Sequence, residues 1–131
     1  MSFSPDTLTH IIRKSWSKDT TSSPDEWDAG LTPARGQCVP TSLVVQDYLG
    51  GTLDRLATEF HGTRETHYRN ILEDGTVVDI SRGQYPADQQ FEPAPVDGDT
   101  REYVLENENT RRRYRLLAER VAALLALETA D

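Results

Sequence analysis

One segment limits what this chain can fold into more than any other. Residues 36–51, "GQCVPTSLVVQDYLGG", place Pro40 in the first turn of a helical pattern and end it at Gly50-Gly51. Proline is tolerated in a first turn, where its missing N–H has no intrahelical acceptor, and glycine commonly terminates a helix. Between these limits Leu43, Val44, Val45, Tyr48 and Leu49 form an apolar surface too wide for a helix lying on the outside of a protein. A helix starting at Gln37 or Cys38 is therefore expected at the centre of the core, and the other segments must cover it.

Those segments are legible in outline. Ser4, Pro5 and Asp6 make a helix start, and Leu8, Ile11, Ile12 and Trp16 recur at helical spacing over residues 4–17. Residues 18–37 are rich in Ser, Thr, Asp, Pro and Gly and read as a connection anchored by Trp27 and Leu31. "TLDRLATEF" (52–60) reads as a strand, "HGTRE" as a loop, and "THYRNIL" and "TVVDIS" as two strands joined by "EDG". Residues 83–99 hold three prolines and are expected to lack regular structure. From about Asn107 onward Tyr114, Leu117, Val121, Leu124 and Leu125 mark a last helix. Leu116, Ala123 and Leu127 broaden its apolar side, so its end is either well buried or the contact of a homodimer. The expectation is one α+β domain: a central helix on a small antiparallel sheet of three or more strands, flanked by N- and C-terminal helices.

Composition narrows the partners. The 131 residues carry a net charge of -8, which repels phosphate backbones and speaks against nucleic acid. The longest apolar run, residues 121–127, is far short of the ~20 residues that span a bilayer, and no membrane contact is expected. The first residues lack a basic region and an apolar core, so no signal peptide is read there. One cysteine forms no internal disulfide, in keeping with a reducing cytoplasm.

That cysteine is the entry to the chemistry. At a helix N-terminus the positive end of the helix dipole and unpaired N–H groups favour thiolate, the nucleophilic form, and stand ready for an oxyanion. Taken alone, Cys38 is better explained as a small buried residue between loop and helix. A base shifts the balance. Of the three histidines, His10 sits in the first helix and His61 beside Gly62 at a strand end, whereas His67 lies inside a strand. If "EDG" (73–75) forms a three-residue loop, Ile71 pairs with Val77, Arg69 with Asp79 and His67 with Ser81, which makes His67 and Asp79 diagonal neighbours on one face. A two-residue loop at Asp74-Gly75 would instead pair Asn70 with Asp79 and turn His67 away. Only the first register gives a base with a carboxylate to orient it.

The blocks "GQCVPTSLVVQDYLGG", "THYRN" (66–70), "DG" (74–75) and "VDISRGQYP" (78–86) resemble the YunG-like family of small bacterial proteins, with a weaker likeness at "NTRRRYRLLAERV" (109–121) and in the first helix. The resemblance covers most of the chain and implies a shared fold and a Cys38–His67–Asp79 site, but no substrate. A broader likeness, of topology only, is to papain-like and NlpC-type thiol peptidases, implying a papain-like core. Papain relatives carry an oxyanion-hole glutamine several residues before the cysteine. Here Gln37 immediately precedes Cys38 and "DAGLTPAR" holds no glutamine, so the donors expected are the Cys38 N–H with either a neighbouring N–H or the Gln37 amide.

Other residues admit two roles each. Asn70 orients His67 in the alternative register or makes a strand hydrogen bond. Arg82 and Gln84 contact a substrate carboxylate or amide, or fix their own loop. Tyr68 and Trp27 line a cleft or pack in the core. Arg111, Arg112, Arg113 and Arg115 are expected to pair with nearby carboxylates. Three functions compete: a thiol-dependent acyl-transfer enzyme acting on a small-molecule or peptide-like substrate without a cofactor, a binding module on the same scaffold, and, third, a metal site of Cys38, His67, Asp79 and His61 that lacks any close ligand pair.

Overall fold

A computed structural model describes residues 4–129. Helix α1 (Pro5–Ser15) begins at Ser4, whose hydroxyl accepts from the Thr7 N–H at 3.1 Å, a cap worth about 1 kcal/mol. Helix α2 (Cys38–Leu49) follows the irregular connection, and strands β1 (Thr52–Phe60) and β2 (Thr63–Ile71) form a long antiparallel hairpin. Two short strands, β3 (Val77–Val78) and β4 (Glu92–Pro93), flank it in the order β3-β2-β1-β4. Helices α3 (Thr100–Leu105) and α4 (Glu108–Thr129) complete the α+β chain.

Helix α2 is central, as its breadth of apolar surface requires. Leu43, Val44 and Val45 are fully buried. On one side Val44 and Val45 join Leu8, Ile11, Ile12 and Trp16 of the first helix and Leu117, Val121 and Leu125 of the last. On the other, Cys38 and Leu43 join Leu53 and Tyr68 of the sheet and Val104 of α3. The indole N–H of Trp16 donates to Thr41 Oγ1 at 2.9 Å and closes the end of α1 onto α2. Tyr48 is the exception on α2, at 39% exposed.

The structure departs from the sequence reading at several places, each with a local cause. Residues 61–65 are not a loop. His61 and Gly62, with φ of 53° and 78°, make a two-residue turn that pairs Phe60 with Thr63, so β2 starts three residues early. Positive φ at both turn residues matches the twist of the flanking strands, and histidine is among the few side chains that tolerate it. The strand expected over 76–81 shortens to two residues because the chain bends at Asp79, whose carbonyl accepts from the Arg82 N–H at 3.3 Å. The proline-rich stretch yields β4, and Pro93, lacking an N–H, stands on the sheet edge where none is needed. Leu31 is no anchor, being 86% exposed, whereas the Trp27 indole donates to the Pro33 carbonyl at 2.8 Å. Leu127 is 71% exposed, so the end of α4 is not covered by its own chain. No helix among the described residues is long and apolar enough to cross a membrane.

The corrected anchor and the central helix give opposite expectations for two leucines. Leu43→Ala should cost about 3 kcal/mol of unfolding free energy in urea titration, and Leu31→Ala less than about 0.5 kcal/mol.

Candidate active site around Cys38

The site is assembled on β2, whose alternation sends neighbouring side chains in opposite directions. Thr66 and Tyr68 line a cavity beside Cys38, and the Asn70 amide donates to the Ser42 carbonyl of α2 at 2.9 Å. Glu65 and His67 meet a different set of partners: Arg35, Asp79, Tyr85 and Phe91. Because β3 pairs only with Asn70 and Ile71, the outer edge of β2 at His67 has no ladder partner and is met by the turn after Asp79.

The register that joins His67 to Asp79 is set at the hairpin. Leu72 N–H donates to the Thr76 carbonyl at 2.8 Å and Gly75 N–H to the Leu72 carbonyl at 2.9 Å, and Ile71 pairs with Val77. This is the three-residue loop. In consequence His67 Nε2 lies 2.9 Å from both carboxylate oxygens of Asp79. A carboxylate accepts only, so Nε2 keeps its proton in either charge state and Nδ1 is the nitrogen that can gain or lose one. The Gln84 amide nitrogen faces Nδ1 at 3.5 Å, and Cys38 is close enough to act on the imidazole.

His67 is fully buried, its ring edge-on to Tyr85 with centroids 5.3 Å apart and tilted against Phe91 at 5.4 Å. Burial works against the imidazolium, but hydrogen bonds to Asp79 and Cys38 and the negative charge of both outweigh it, and the group is pushed up to about 9. Arg35 forms a two-pronged ion pair with Glu65, at 2.6 and 2.9 Å, and the Tyr85 hydroxyl donates to Glu65 Oε1 at 2.7 Å. Burial alone would raise Glu65, yet these donors hold it below its ordinary value. Burial and the bond to Glu65 push the Tyr85 phenol up, so it stays protonated and keeps donating.

The approach to Cys38 is equally fixed. Gly36 has a φ of +73°, and a Cβ there would sit 2.2 Å from Thr21 Oγ1, so only glycine fits. Its N–H donates to Gln84 Oε1 at 3.2 Å, which leaves the other end of the same amide turned to His67. Gln84 therefore fixes its loop and also touches the site. Arg82 donates to the carbonyls of Tyr85 and Ala87, both at 3.3 Å, and its guanidinium stacks on Phe91.

The alternatives left open for Gln37 and Asn70 narrow. The Gln37 amide nitrogen donates to the Ser17 carbonyl at 3.1 Å within a fully buried side chain, so it is committed away from the cavity. Asn70 ties β2 to α2 and plays no part in orienting His67. The backbone donors at the helix start follow by elimination: Pro40 has none and Thr41 N–H donates to the Gln37 carbonyl at 3.1 Å. Cys38 and Val39 supply the remaining N–H groups of the first turn.

Cys38, 9% exposed, opens onto a cavity of about 530 Å³ walled by Ser22, Thr66, Tyr68, Tyr103, Asn107 and Thr110. Tyr68 thus belongs to the wall, and Arg55 donates to its hydroxyl at 3.1 Å; Trp27 is not part of the wall. Among the described residues no cluster of three or more His, Cys, Asp or Glu side chains is placed to hold a metal ion. Sequence reasoning missed Arg35, Glu65, Tyr85 and Phe91. Glu65 stands two positions from His67 and was findable by strand alternation, once the strand is extended to Thr63.

The model of the YunG protein family matches residues 4–126, and the chain belongs to that family. The uncharacterized protein YunG of Bacillus subtilis (strain 168) is 30% identical over 86 residues, 66% of this chain and 67% of the relative. No solved structure matches.

Since the folded value of His67 lies above its ordinary 6.5, the stability it contributes is complete below about 6.5 and lost as pH rises through about 9. Urea midpoints measured across this interval should fall in the wild type, and the fall should be smaller in His67→Gln.

Proposed function

We propose that the protein is a thiol-dependent acyl-transfer enzyme, an amidase, deamidase, peptidase or transferase, in which Cys38, His67 and Asp79 act on an amide or ester. The observation that carries this reading is the bifurcated contact of Asp79 with His67 Nε2, at 2.9 Å to each oxygen, which leaves Nδ1 as the nitrogen able to exchange a proton, on an imidazole that Cys38 also acts upon. The chain order of a cysteine-bearing helix, a strand carrying His and an Asp just after the next strand also resembles that of papain-like thiol enzymes, and adds support by analogy of topology.

In this reading His67 Nδ1 takes the thiol proton, and Asp79 stabilises the imidazolium that results. The Cys38 thiolate forms a bond to the carbonyl carbon, and the carbonyl π electrons move to oxygen. The N–H groups of Cys38 and Val39 stabilise that oxyanion at the positive end of α2. Collapse breaks the bond to the leaving amine or alcohol, which receives the proton from His67, and leaves a thioester on Cys38. Water or an amine then attacks the thioester while His67 accepts its proton, and the thiol leaves with that proton. Gln84 and the Arg35–Glu65–Tyr85 group position His67 and take no proton.

A second reading is a module that binds a peptide-like ligand in the same cavity without turnover. It draws on the commitment of Gln37 to Ser17, which leaves only two backbone donors for an oxyanion.

Exposure to an activated acetyl ester followed by mass spectrometry separates the two. The enzyme reading expects acetyl on Cys38, formed about a hundredfold or more slowly in His67→Gln and slowed also in Asp79→Asn. Acetylation at an unselective rate that ignores His67 would leave only the binding module.

A further inference from the structure

Five of the twelve arginines form ion pairs among the described residues. Arg35 meets Glu65, Arg64 meets Glu92, Arg69 meets Asp54, Arg101 meets Asp47 and Arg120 meets Asp19. Arg113 of α4 is the most deeply placed member of the basic run, at 5% exposed, and among the described residues it has no carboxylate partner. This overturns the expectation that the run simply pairs with nearby acids. Its Nη1 reaches the Thr20 carbonyl at 3.5 Å and its Nη2 reaches Thr110 Oγ1 at 3.3 Å, both long, while Nε is buried with no hydrogen-bond partner. A guanidinium stays charged at any ordinary pH, and burying one without an opposite charge is costly.

Its position says which opposite charge is available. Thr110, one of its two anchors, lines the cavity onto which Cys38 opens. Thr20, the other, lies in the connection that also receives the Gln37 amide through Ser17, immediately before Cys38. Several charged and titratable groups stand within electrostatic reach of Cys38. His67, with Asp79 behind it, and Tyr68 come from β2, Tyr85 from the loop after Asp79, Tyr103 and Glu106 from the far wall, and Arg113 from α4. His67 and Arg113 are cations of this set, and Arg55, which donates to the Tyr68 hydroxyl at 3.1 Å and lies over the Tyr103 ring, is a third at the far wall; both arginines keep their charge when His67 loses its own.

We propose that Arg113 is the fixed counter-charge of the Cys38 thiolate, a positioning residue that acts through its field from behind the cavity wall. The proposal rests on the thiolate reading of Cys38. The buried arginine is thereby compensated in the state that reacts, and the thiolate has a second cation that does not lose its charge when His67 gives up its proton.

The test is the rate of Cys38 alkylation by iodoacetamide as a function of pH, in wild type, Arg113→Met, Arg113→Lys and His67→Gln, with folding checked by circular dichroism. In Arg113→Met the midpoint of the profile should move up by about one unit, so that alkylation well below it slows roughly tenfold. Arg113→Lys should restore most of the wild-type profile. If Arg113→Met does not fold, Arg113→Gln, which keeps donors for Thr20 and Thr110, carries the same comparison. A folded neutral variant with the wild-type profile overturns the proposal, as does a lysine variant no better than the neutral one. A wild-type profile that depends on His67 but not on Arg113 removes the counter-charge and leaves the enzyme reading standing. A profile like that of a free thiol, indifferent to His67, removes both.

Discussion

The grip of Asp79 on His67 is the contact around which this end of the molecule is organised. An imidazole with no exposed surface needs a partner for its N–H, and one carboxylate offering both oxygens supplies it while fixing the tautomer. To place that carboxylate, the hairpin must close in one register and the third strand must stop after two residues. The free edge of β2 then accepts the turn after Asp79, and that turn delivers Gln84 and Tyr85 to the same ring. One pairing therefore decides strand length, loop course and the face that His67 shows to Cys38.

A second pair, Arg35 with Glu65, repeats the logic one step along the same strand. Buried charges survive where geometry is good and further hydrogen bonds satisfy what remains, and Glu65 has both Arg35 and Tyr85. Gln84 links the two pairs by giving its oxygen to Gly36 and turning its nitrogen to His67. The rigidity of Cys38 thus owes as much to residues 82–85 as to its own helix.

Much of this was legible in the chain, for reasons that differ by residue. The breadth of apolar surface between Pro40 and Gly50 marks α2 as central without any tertiary information. "EDG" carries the turn chemistry that joins His67 to Asp79, because left-handed glycine and a short acidic side chain are local requirements. What stayed hidden depends on partners distant in sequence. Nothing local to Gln37 says that its amide will serve Ser17. Nothing in a basic run says that Arg113 turns inward while Arg111 and Arg112 stay out. β4 escaped notice because a two-residue strand with a proline is defined by the neighbour it pairs with. His61-Gly62 could have been recognised as a tight turn, but histidine is an uncommon residue at positive φ.

The single thiol has a consequence for the life of the protein under oxidative stress. A peroxide reaching Cys38 converts it to a sulfenic acid, and the chain holds no second thiol with which that acid could condense. Repair must come from a reductant that enters through the same cavity. Any thiol that restores the protein must pass the walls formed by Tyr68, Tyr103 and Thr110 to reach the sulfur.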